Sequence, residues 1–199
     1  MRNVRVKICG LRSKNDIETA NKYLPDYIGF VFADFSKRYI DFETAGKLKA
    51  LLRPEIKAVG VFVNEDVEKV ISLLDDGVID IAQLHGAEDE EYIRYIKGKS
   101  GKPVIKAFNM NKPYEAESIE NSPADYILLD SGSGTGKTFD WTKPESIRRP
   151  YFLAGGLSPD NVAEAVKKLH PFAVDVSSGV EMNGIKDKTL IRRFFNELI

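Results

Sequence analysis

The sequence predicts a single closed (β/α)8 TIM barrel spanning residues 1–199, and three features carry that expectation. Eight short runs rich in β-branched residues alternate with charged stretches of helical period, which demands parallel strands joined by right-handed crossovers. No linker or low-complexity segment interrupts the alternation, so the units belong together as one domain. At about 25 residues per unit, eight units suit a compact closed barrel better than an open doubly wound sheet.

The strands are expected at 4–9, 27–32, 57–63, 79–84, 103–108, 125–130, 151–154 and 172–177. Helices are expected at 14–24, 42–52, 65–76, 88–97, 113–120, 158–169 and 188–198. Ser158 followed by Pro159 reads as an N-cap with proline at the first helical position, and Asn64-Glu65-Asp66 as a cap with an acidic first turn. The sixth connection differs. Residues 131–150 are rich in Gly, Thr, Lys and Pro, so the helix after strand 6 is reduced to a turn around 144–148 or missing.

Composition narrows the function classes. Of 199 residues 43% are hydrophobic and 30% charged, enough for a sizeable core under a solvated surface. The net charge of -1 comes without a basic stripe, which argues against nucleic acid as a partner. One cysteine rules out an intrachain disulfide and fits a reducing compartment. No apolar run approaches the roughly 20 residues that span a bilayer, and the first residues lack the apolar core of a signal peptide. A cytoplasmic protein that does not engage a membrane is the expectation.

Side chains alternate along a strand. Val4, Val6 and Ile8 therefore share one face of the first strand and Arg5, Lys7 and Cys9 the other. If Cys9 points into the barrel, so does Lys7, and the same logic makes Gln83, Lys106, Asp130 and Asp175 inward candidates. Such an interior needs mutual pairing, because unpaired buried charge is costly.

Function in such a barrel sits where strands end and βα loops begin. Those ends carry Cys9-Gly10, Ser36-Lys37-Arg38, Asn64, His85-Gly86, Asp130-Ser131, Gly155-Gly156 and Ser177-Ser178-Gly179. Cys9 is either a small buried hydrophobe or a thiolate favoured by Lys7. Asp130 is either a cap or an acid facing Cys9 across the mouth. Arg38 can fork onto a carboxylate or phosphate, or merely be solvated. His85 can touch substrate or satisfy a loop. Gly155 and Gly156 after strand 7, with Ser178 and Gly179 after strand 8, stand where such barrels commonly hold phosphate. No His, Cys and carboxylate spacing suggests a metal. Residues 131–138 resemble a P-loop, but serine replaces its first glycine and Phe139-Asp140-Trp141 follows where a helix should start. A glycine-rich loop able to close over a ligand is the better reading.

As a set, these residues resemble the phosphoribosylanthranilate isomerase family. The matching motifs are Lys7-Ile-Cys-Gly10, Gly29-Phe-Val-Phe32, Ser36-Lys-Arg-Tyr-Ile40, Val59-Gly-Val-Phe-Val-Asn64 and Gln83-Leu-His-Gly86. Leu128-Leu-Asp130, Gly134-Thr-Gly-Lys-Thr-Phe-Asp-Trp141, Ala154-Gly-Gly-Leu157 with Asn161-Val162, and Val174-Asp-Val-Ser-Ser-Gly-Val-Glu181 complete them in order. The resemblance implies a stand-alone, cofactor-independent enzyme of tryptophan biosynthesis, an aldose-ketose isomerase. It implies Cys9 as general base, Asp130 as general acid, Arg38 on the anthranilate carboxylate, and loops 7 and 8 on the phosphate of a small phosphorylated substrate. Lys7, His85 and Asp175 would be further substrate contacts. That chemistry wants Asp130 protonated and Cys9 as thiolate. A monomer or homodimer would be compatible with it. The rival readings are another phosphosugar isomerase or epimerase on the same barrel, and a non-catalytic barrel that binds a phosphate ligand.

Overall fold

A computed structural model of the chain describes residues 4–130 and 147–199. Its strands are β1 (Arg5–Cys9), β2 (Tyr27–Val31), β3 (Lys57–Phe62), β4 (Ile81–Leu84), β5 (Val104–Asn109), β6 (Tyr126–Asp130), β7 (Tyr151–Ala154) and β8 (Ala173–Val176). They pair in chain order and close into a barrel, β8 returning to β1. All eight pairings are parallel. The β1–β8 register sets Lys7 beside Asp175.

Around the barrel run α1 (Lys14–Tyr23), α2 (Phe42–Lys49), α3 (Val67–Asp75), α4 (Glu90–Ser100), α5 (Ala116–Glu120), α6 (Val162–Leu169) and α7 (Lys188–Asn196). Most begin on a side chain that satisfies the open N–H groups of the first turn. Ser13 and Asp16 form a capping box on α1, and Asp41, Asp66, Asp89 and Asp187 cap α2, α3, α4 and α7. Among the described residues no helix lies between β6 and β7. The glycine-rich stretch 131–138 and most of the turn expected at 144–148 lie outside the described residues.

Alternation along the strands divides the core in two. Val6, Ile8, Ile28, Phe30, Ile127 and Leu129 face outward against helices, where they join Ile17, Ile71 and Phe194. Inside the barrel Tyr27, Val59, Ile81, Ile105, Leu128, Phe152 and Ala173 pack together. Nearer the mouth Cys9 joins Val31, Ala33 and Val61. No helix among the described residues is long and apolar enough to cross a membrane.

Three local expectations need correction. Lys106 does not point inward, because its neighbours Ile105 and Ala107 occupy the barrel interior. Its ammonium instead lies 2.9 Å from both Gly86 O and Glu88 Oε2, outside the barrel wall. Ser158 does not cap a helix: residues 158–161 form a turn, with Asn161 Oδ1 accepting from Ser158 N, and α6 starts at Val162. Asn64 caps nothing either. It takes a positive φ of 53°, and Asp66 performs the capping of α3.

Candidate active site

The strand ends open on a cavity of about 270 Å³ lined by Cys9, Arg38, Gln83, His85, Asp130 and Asp175, with Gly155, Gly156 and Ser178 on one side. Cys9 on β1 and Asp130 on β6 are three strands apart by way of β8 and β7, so they approach this space from different sectors of the rim.

Cys9 is 9% exposed and lines the cavity. Gly29 makes room for it, since a Cβ there would lie 2.7 Å from Cys9 Sγ. Beneath the thiol lies Lys7, completely buried and bonded through Nζ to Asp175 Oδ2 at 2.8 Å. Burial opposes the charge on Lys7, but Asp175 and Cys9 outweigh it and hold Lys7 above the ordinary lysine range. Burial pushes the Cys9 thiol up, against the pull of Lys7, while the Asp175 carboxylate pushes it further. Lys7 shares its charge with Asp175, which weakens its pull on the thiol.

Asp130 is held by His85, whose Nε2 lies 3.1 Å from Oδ2, while His85 Nδ1 lies 3.0 Å from Gln83 Nε2. With the amide in this orientation Gln83 donates to Nδ1, so Nε2–H donates to the Asp130 carboxylate. Gln83 Oε1 is buried and has no hydrogen-bond partner among the described residues. Turning the amide over offers that oxygen to an Nδ1–H, and Nε2 then accepts a proton from a neutral Asp130. One chain of three residues thus serves both protonation states of the acid. The turn carrying His85 is fixed from behind by Glu88, which accepts from Asn64 N at 2.7 Å and Gly86 N at 2.9 Å. Lys106 completes that support, so an apparent interior charge acts as a brace.

On the opposite flank Gly155 and Gly156 adopt φ of 94° and 67°, a region open to glycine. Ser178 opens a single 3-10 turn, Ser178–Val180. Gly179 lies behind it and packs so closely that a Cβ would overlap Leu157 O, which locks the turn after β8 against the turn after β7. Arg38 reaches the cavity edge and forks onto Glu181, with Nε and Nη2 each 2.7 Å from a carboxylate oxygen. Glu181 and Lys186 lie on a two-stranded hairpin, β9 (Glu181–Met182) and β10 (Ile185–Lys186). Neither was a candidate from the sequence. The usable signal was Asn183-Gly184 between them, the strongest short-range hairpin dipeptide. Among the described residues no group of three or more His, Cys, Asp or Glu could hold a metal ion.

Fold and rim chemistry place the molecule among the (β/α)8-barrel enzymes whose reacting groups stand at the carboxyl ends of the strands. Within that class the chain belongs to the N-(5′-phosphoribosyl)anthranilate isomerase family, whose profile matches residues 6–197. An N-(5′-phosphoribosyl)anthranilate isomerase from Endomicrobium trichonymphae is 49% identical over 189 residues, covering 92% of each chain. The crystal structure of phosphoribosyl anthranilate isomerase from Thermus thermophilus has a TM-score of 0.89 at 35% identity, covering 98% of both chains. A crystal structure of phosphoribosyl anthranilate isomerase in complex with reduced 1-(o-carboxyphenylamino)-1-deoxyribulose 5-phosphate gives 0.86 at 39%, again over 98% of each.

Proposed function

We infer that this chain isomerises N-(5′-phosphoribosyl)anthranilate to 1-(2-carboxyphenylamino)-1-deoxyribulose 5-phosphate, the aldose-ketose step of tryptophan biosynthesis, with Cys9 and Asp130 as its acid–base pair. The observation that carries the assignment of roles is that both face one cavity from β1 and β6, beside Arg38 and the glycine turns after β7 and β8. Asp130 gives a proton to the ribose ring oxygen, the C1′–O bond breaks, and the anilino nitrogen lone pair forms the iminium. Cys9 removes the C2′ proton, and the released electron pair gives an enolamine. Tautomerisation to the ketone adds a proton at C1′ and releases the one on the C2′ hydroxyl, which completes a rearrangement with no net redox change.

The supporting features fall on both sides of this sequence. Protonated Asp130 is stabilised by donating to His85 Nε2 in the second arrangement of the Gln83-His85 chain. Lys7 and Lys186 are the cations that favour a Cys9 thiolate. Arg38 holds the anthranilate carboxylate, the backbone at Gly155, Gly156, Ser178 and Gly179 holds the phosphate, and Asp175 Oδ1, buried with no partner among the described residues, accepts a ribose hydroxyl. A small phosphorylated substrate handled in the cytoplasm, with neither nucleic acid nor membrane as partner, fits this reading. The test is rescue of a tryptophan auxotroph lacking the isomerase step. The gene should restore growth and its Cys9→Ser form should not; rescue by both, or by neither with soluble protein present, contradicts the assignment.

A further inference from the structure

Arg38 has two anionic claims on it: the substrate carboxylate assigned above, on which the following rests, and Glu181. A lone Glu181 would cancel the charge of Arg38 and spoil it as an anion clamp. The hairpin solves this within six residues. Asn183 and Gly184, with φ of 53° and 77°, make a two-residue turn that sets Lys186 directly across from Glu181. Lys186 Nζ lies 2.6 Å from Glu181 Oε1, the same oxygen that accepts from Arg38 Nε. The three groups together keep one net positive charge. Lys186 is anchored in turn on Ser177 O at 3.0 Å, and Ser177 Oγ donates to Cys9 O at 3.0 Å. Arg12 ties the outer side, donating to Lys37 O at 2.6 Å and Gly184 O at 3.1 Å. Gly10 supplies the space, since a Cβ there would overlap Arg38 Cδ.

We propose that Glu181 and Lys186 are positioning residues for substrate recognition: Glu181 fixes the guanidinium of Arg38 by its Nε/Nη2 edge, and Lys186 neutralises Glu181 so that Arg38 keeps its charge for a substrate carboxylate. A guanidinium has five N–H donors in a rigid fork. Glu181 takes Nε–H and one Nη2–H, so Nη1, which has no partner among the described residues, and the second Nη2–H form the edge left to receive a second carboxylate end-on. The hairpin therefore determines selectivity for the carboxylated aryl group without touching the reacting atoms. It also connects the carboxylate clamp to the strand end that bears Cys9.

The experiment compares competitive inhibition by two reduced product analogues, one with the ortho carboxyl group and one without it. Wild-type enzyme binds the carboxylated analogue more tightly. Glu181→Gln and Lys186→Met each weaken that analogue about tenfold, the scale of a hydrogen bond to a charged group. Both leave the uncarboxylated analogue within about twofold, Glu181→Gln raises KM more than it lowers kcat, and Lys186→Arg keeps the preference that Lys186→Met loses. Equal weakening of both analogues, or unchanged discrimination in both variants, overturns the proposal and leaves the isomerase assignment standing. If wild-type enzyme turns over substrate yet does not distinguish the analogues, the carboxylate role of Arg38 fails and the proposal with it. Absence of turnover by wild type is the separate result that refutes the assignment itself.

Discussion

Lys7 Nζ and Asp175 Oδ2 meet 2.8 Å apart inside the barrel, on adjacent strands, with Lys7 wholly buried and Asp175 nearly so. Breaking such a pair from one side leaves an uncompensated buried charge, which costs about 3–5 kcal/mol. Lys7→Met should lower unfolding free energy by about that amount. Replacing both partners, Lys7→Met with Asp175→Leu, should recover most of the loss because no orphan charge remains. Urea denaturation of the three proteins measures this; a double variant no more stable than Lys7→Met would contradict the pairing.

The same pair governs the thiol. Burial and Asp175 hold Cys9 above its ordinary value of 9.0 while Lys7 draws it down. The thiolate fraction should therefore rise with pH throughout the neutral range and level off only above pH 9. Lys7→Gln removes the attraction and leaves the Asp175 repulsion, so its limb should move to higher pH. Thiolate absorbance near 240 nm checks both shifts. A wild-type plateau below pH 8 would count against this electrostatic account.

Gly29 leaves Cys9 the space it occupies. Gly29→Ala puts a methyl group 2.7 Å from Sγ, so the thiol must move by several tenths of an ångström. Displacement of a reacting group on that scale costs up to about a hundredfold in rate. The expected result is a kcat reduced about tenfold to a hundredfold with KM and far-ultraviolet circular dichroism near wild type. Unchanged kcat would place the base elsewhere.

Gln83 lines the cavity and should matter to turnover although it is neither the acid nor the base. Gln83→Met removes both partners that set the His85 tautomer, and kcat should fall about tenfold, less than the 10²–10⁴ carried by a general acid itself. Steady-state fluorescence kinetics measure it. Wild-type kcat in this variant would show that Asp130 works without the relay.

The barrel was legible because local signals agreed along the whole chain, and the inward placement of Lys7 and Cys9 followed from a period of two. That period fails as a guide where both faces of a strand are buried, since neither face is marked by polarity. β5 is such a strand. Lys106 looked like an interior charge until Glu88, 18 residues earlier, provided its partner outside. Ser158 misled because Asn161 closes its own turn ahead of α6. Asn183-Gly184 could mark the hairpin of Glu181, but not its contact with Arg38, which spans 143 residues. The balance of charges on Cys9 was hidden for a related reason: Lys7 was visible beside it, but the Asp175 that shares the charge of Lys7 lies 168 residues away.

The most direct test measures kcat for isomerisation of freshly prepared N-(5′-phosphoribosyl)anthranilate by Cys9→Ser and Asp130→Asn, with binding of the reduced product analogue measured in parallel. Loss of a general base or acid should lower kcat by about 10²–10⁴ in each variant, with both folded and analogue affinity within a few fold of wild type. Turnover within tenfold of wild type in either variant would contradict the pairing of a thiol and a carboxyl across this cavity.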